Sequence, residues 1–144
     1  MNESYTWYQT LIKPQWAPPS WLFGPVWTVL YAIIAVTFGT VFYQAAMRRI
    51  PWIVALPFAL NLVFNAVFTP IQFGLKNNLL ASVDIALVLG TLMWALVALY
   101  VFGLKLHIET GAPTYAWIIY ANIPYLLWVM FATVLQVTIT ILNK

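Results

Sequence analysis

None of the 144 residues is a cysteine, which removes disulfide scaffolds, thiolate metal sites and cysteine nucleophiles together. Charge is nearly as scarce: six Lys or Arg and three Asp or Glu, 6% of the chain. A water-soluble domain carries about a quarter charged residues, so this composition could not cover a surface in water. Disorder is excluded as well, because 64% of the residues are hydrophobic and disordered chains pair low hydrophobicity with high charge. The net charge of +3 comes from scattered cations with no basic stripe, which argues against a nucleic-acid partner. The one histidine, His107, cannot build an ordinary zinc or haem site without further ligands. No Gly-rich phosphate loop, serine triad or carboxylate pair is present, so no catalytic residue, metal ligand or obligatory cofactor is expected.

What is present is apolar and aromatic: eight Trp, eight Tyr and nine Phe. The charges fall at Glu3, Lys13, Arg48, Arg49, Lys76, Asp84, Lys105, Glu109 and Lys144, leaving uncharged runs at 14–47, 50–75, 85–104 and 110–143. A membrane helix needs about 20 mostly apolar residues, so each run holds one span. The expected architecture is therefore all-α: an integral, multi-pass membrane bundle of four transmembrane helices at about 21–46, 51–74, 79–102 and 115–142. It forms a single domain over 1–144, with the lipid bilayer as its first partner. Residues 1–20 stand apart as a segment rich in proline and tryptophan. The stretch 103–114 reads as the longest loop. The basic residues divide evenly between the two ends, so the positive-inside rule gives no orientation.

Polar residues inside spans need partners, and they usually point into the bundle or a cavity. Asn61, Asn65, Phe68 and Gln72 share one helix face, as do Phe23, Trp27 and Tyr31, and also Tyr125, Trp128, Ala132 and Gln136. Two readings stay open for the amides. They either bond helix to helix or line an aromatic cavity suited to a flat, largely apolar ligand. Asp84 is the only carboxylate in any span; it either complements a helix dipole or belongs to a site. Ala86-x-x-x-Gly90 and Ala55-x-x-x-Ala59 would permit close helix approach, as in a homodimer.

The spacing Trp7-Tyr8-x-x-Leu11-x-Lys13-Pro14-x-Trp16-x-Pro18-Pro19-x-Trp21-x-Phe23-x-Pro25-Val26-Trp27-x-x-Leu30-Tyr31 resembles the signature of the TspO/MBR family, the tryptophan-rich sensory and translocator proteins. Leu60-Asn61, Asn65, Phe68, Phe73-Gly74, Ala81-x-x-Asp84 and Pro124-Tyr125-Leu126-x-Trp128-x-x-Phe131-Ala132-Thr133 extend the resemblance to Leu142-Asn143. It implies a bundle normally of five helices, of which the chain looks like the last four. It also implies a location in a bacterial cell membrane or an organelle outer membrane. By position, Trp27, Asn61, Phe68, Trp128 and Ala132 look like family pocket positions, with Tyr31 and Asn65 as neighbours and Trp16, Pro18 and Pro19 in a lid. The implied ligand is a porphyrin or haem, held by a sensor or carrier. Light-dependent porphyrin breakdown and transport of small apolar molecules are the implied alternatives. Cholesterol binding is disfavoured, because residues 137–144 lack the tyrosine of the sterol motif.

Overall fold

The computed structural model describes residues 11–17, 22–71, 75, 77–112 and 114–143. Its elements are α1 (Phe23–Ala46), α2 (Trp52–Thr69), α3 (Asn78–Thr110), α4 (Ala116–Ala121) and α5 (Ile123–Leu142). The apolar parts of α1, α3 and α5 are each long enough to cross a bilayer, and the apolar stretch of α2, Trp52–Phe68, is shorter. This is the helical bundle of a multi-pass membrane protein. The expectations at Pro18, Pro19, Trp21 and Gln72 lie outside the described residues.

Three boundaries differ from the sequence reading, each for a local reason. The α-helical register of the second helix ends at Thr69, Pro70 and Ile71 continue in a wider helical turn, and 72–74 lie outside the described residues. Pro70 has no N–H to continue the ladder, and the Leu75 N–H reaches back to the Pro70 carbonyl (2.9 Å) in a wider turn. The stretch 103–110 is helix rather than loop, because charge alone does not break a helix. With 33 residues, α3 is about 50 Å long and outruns the ~30 Å hydrocarbon core. Its breaker is Gly111, whose φ of 73° closes the helix with an N–H to His107 O bond of 2.8 Å. Gly103 serves packing: a Cβ there would lie 3.3 Å from the Tyr115 nitrogen as the chain returns. The fourth span is divided at Asn122, whose N–H is shared between Ile118 O (3.2 Å) and Ile119 O (3.1 Å). Pro124 follows in the first turn of α5 and cannot donate to the preceding turn.

The core runs along α3, where the fully buried Ile85, Val88, Leu92, Ala95 and Leu99 recur at three- or four-residue spacing. They meet α2 and α5, while Phe38 of α1 sets its ring edge against Phe58 of α2 at 4.8 Å and 89°. Between lipid-bathed helices such contacts stabilise by close packing rather than by transfer from water. Ala55 is buried in this core, whereas Ala86 and Gly90 face outward.

Candidate ligand-binding site

The amides of α2 find their partners inside the bundle. Tyr125 Oη donates to Asn61 Oδ1 (2.9 Å) and accepts from Asn65 Nδ2 (2.9 Å). Asn61 Nδ2 also donates to Val88 O (2.8 Å) and Thr91 Oγ1 (3.2 Å) on α3. Asn61 and Tyr125 are fully buried and Asn65 nearly so, so one polar node ties α2, α3 and α5 together. In lipid such bonds contribute about 0.6–2 kcal/mol each. This arrangement favours the helix-bonding reading of Asn61 and Asn65 over that of free ligand donors.

The aromatic residues continue outward from the node. Trp27 meets Tyr125 edge-on at 6.4 Å, Trp128 at 6.5 Å and 88°, and Tyr31 at 5.4 Å. Trp128 next contacts Phe131 at 5.7 Å. Tyr31 is half exposed on α1, and Phe68 and Ala132 are partly buried against the core. The structure thus brings Trp27, Tyr31, Trp128, Asn61 and Asn65 into one connected chain through Tyr125.

Beside this chain lies an open groove of about 710 Å³ between α1 and α5. Its α1 wall is Leu22, Pro25, Val26, Val29 and Leu30; its α5 wall is Pro124, Leu127, Trp128 and Phe131. Each wall is a stripe at i, i+3, i+4, i+7 spacing, so two apolar helix faces look at each other without closing. Of the residues expected to bind ligand, only Trp128 is in the wall; Trp27 backs it from behind.

One rim of the groove is tied to the segment 11–17. Trp16 sets its ring edge on Phe131 at 5.7 Å and 67°, and Leu11 and Ala17 pack with Leu135 and Ile139 of α5. At the far end Asn143 grips the backbone of Ile12 twice: Ile12 N–H donates to Oδ1 (3.0 Å) and Nδ2 donates to Ile12 O (2.9 Å). The segment therefore lies as a strap along the last half of α5. The same end of the bundle is stitched by Ser82, Gln136 and Thr140, with Thr140 Oγ1 donating to Asn78 O (2.9 Å) and sharing a 2.6 Å bond with Ser82 Oγ.

Asp84 is buried in α3, and its Oδ2 has no hydrogen-bond partner among the described residues. His107 is exposed in the last turn of α3, where Nδ1 donates to Ala112 O (2.8 Å). Among the described residues no cluster of three potential metal ligands occurs.

A family model for TspO/MBR matches residues 1–142. The chain belongs to the TspO/MBR family. It is 36% identical over 139 residues to the tryptophan-rich protein TspO of Bacillus cereus, covering 96% of this chain and 81% of that one. It is 33% identical over 138 residues to the translocator protein of Homo sapiens, covering 94% and 73%. The tryptophan-rich sensory protein of Cereibacter sphaeroides is 32% identical over 128 residues, covering 88% and 70%. Within this family member, sequence reasoning passed over Tyr125 as a site residue, although it shares a stripe with Trp128 and Ala132. It also passed over the groove walls, because apolar residues occur on most faces of α1 and α5 and the wall stripes have little to contrast with.

Proposed function

We propose that this TspO/MBR membrane protein binds a porphyrin or a similar flat apolar molecule in the groove between α1 and α5, as a sensor or carrier. The observation that carries the reading is the pair of facing apolar stripes with the Trp128 indole in one wall and Trp27 set edge-on behind it. A volume of about 710 Å³ falls within the usual range for small-molecule sites, and stacking on Trp128 would orient a planar ring. Lys13, on the strap that carries Trp16, would attract the ligand's carboxylates at the membrane surface. The chain has no cysteine and its one histidine is at the end of α3, so metal-free protoporphyrin is expected to bind at least as tightly as haem.

The test is a titration of protoporphyrin in detergent or nanodiscs, followed by the shift of its Soret band. Wild type should give a saturable shift, and the Trp27→Phe/Trp128→Phe double variant should bind at least about threefold more weakly. Equal affinity in the two proteins would overturn the assignment. The same samples, held in light and in darkness, separate binding from breakdown: loss of the band that needs both light and these indoles would make the protein a photodegrading enzyme.

A further inference from the structure

At the opposite end of α1 from the groove, the turn to α2 builds a different kind of site. Arg48, Arg49, Pro51 and Trp52 line an open cleft of about 560 Å³ together with Phe102 of α3. Neither guanidinium makes a hydrogen bond or ion pair among the described residues, although both are exposed along the same cleft. The turn that presents them is fixed. Ile50 is buried at 1% exposure, and the Gln44 carbonyl receives both the Arg49 N–H (2.8 Å) and the Ile50 N–H (3.3 Å). Arg48 is held at φ 62°, a left-handed conformation that costs a residue with a Cβ and that sets the direction in which its side chain leaves the turn. Pro51 and Trp52, which begin α2, share the cleft, and no side chain caps that helix.

The chemistry of this cleft is specific. Two guanidiniums on one cleft can match the oxygens of a phosphate, each by bidentate hydrogen bonds. Trp52 is 62% exposed at a span end, the level at which indoles sit among lipid headgroups and glycerol. No acid competes from the cleft wall; Glu109, the acid at this end of α3, shares a separate surface with Lys105. We propose that the Arg48–Arg49 turn is a binding site for the phosphate of an anionic phospholipid, with the headgroup in the cleft and Trp52 against the glycerol region. The site is independent of the groove and of what the groove binds.

Native mass spectrometry of the full chain, released from micelles containing equal phosphatidylglycerol and phosphatidylcholine, tests it. Wild type should retain phosphatidylglycerol over phosphatidylcholine by about tenfold, the scale expected when two arginines each favour an anionic headgroup. Arg48→Gln/Arg49→Gln should bring the ratio close to one. Arg48→Lys/Arg49→Lys, which keeps charge and loses the fork, should fall between. Lys105→Gln, at the same end of the bundle, should match wild type. Unaltered melting temperatures show that each variant folds. Equal preference in wild type and the Gln pair, or loss in Lys105→Gln as large as in that pair, would overturn the site. Displacement of the lipid by millimolar inorganic phosphate would overturn the lipid assignment and leave a site for the free anion.

Discussion

The amide node and the groove are neighbours that treat polar atoms in opposite ways. At the node, Asn61, Asn65 and Tyr125 are buried and bonded to one another and to α3, so their polarity is spent on holding three helices in register. A few ångströms outward, past Trp27 and Trp128, the groove is lined by Val, Leu, Pro, Phe and Trp and stays open between α1 and α5. The division has a physical cause. An unsatisfied amide at membrane depth is costly, so amides close on each other, whereas apolar side chains lose little by facing lipid and can remain unpaired. Polar atoms tie the helices together in this bundle, and apolar ones line the groove proposed to receive the ligand.

The largest effect should follow from breaking the node. Tyr125→Phe leaves Asn61 Oδ1 and Asn65 Nδ2 without a partner, each at about 1–3 kcal/mol. A fall of roughly 5–10 °C in thermal unfolding is expected, measured by circular dichroism or dye binding in detergent. Protoporphyrin affinity in the protein that remains folded should change far less than stability does; comparable losses in both would merge the two regions into one site.

Trp128→Ala should do the reverse. Trp128 is partly buried in the groove wall, and losing its stacking face should weaken porphyrin binding by about 0.5–1.5 kcal/mol, roughly three- to tenfold in Kd. The polar node should keep its bonds, which an unchanged amide-exchange pattern across α2 would report.

The smallest effect concerns the strap. Asn143→Ala removes both bonds to Ile12 at a partly exposed site, where each contributes about 0.5–1.5 kcal/mol at most. The strap should loosen while Trp16 still rests on Phe131. Stopped-flow dissociation of bound porphyrin should then quicken by about two- to threefold, with a fall in melting temperature smaller than that of Tyr125→Phe. An unchanged dissociation rate would detach the strap from the groove's function.

How much of this was readable from residues alone follows from contrast. Nine charges against an apolar background mark the four spans, because a charge within lipid is conspicuous. They misplace the end of α3, because Lys105 and Glu109 read as loop, yet a helix leaving the bilayer keeps its hydrogen bonds until Gly111. Asn61 and Asn65 stand out on one face of α2 for the same reason as the charges. Their partner is harder to pair: the stripe places Tyr125 on one face with Trp128 and Gln136, but it is 64 residues from Asn61 and one of eight tyrosines, and nothing local says which amide its hydroxyl meets. The groove is the least visible feature. In α1 and α5 the wall residues resemble those that pack elsewhere, so only the three-dimensional distance between the helices reveals a space.

The measurement that bears most directly on the division of labour is the Kd for protoporphyrin after the groove alone is filled. Leu127 is 59% exposed on the α5 wall, so Leu127→Trp adds bulk to the groove without entering the core. Binding should weaken by at least about tenfold as the cavity is occupied, with a melting temperature within roughly 2 °C of wild type, as for other exposed substitutions. Unchanged affinity in this variant would contradict this and move the ligand away from the space between α1 and α5.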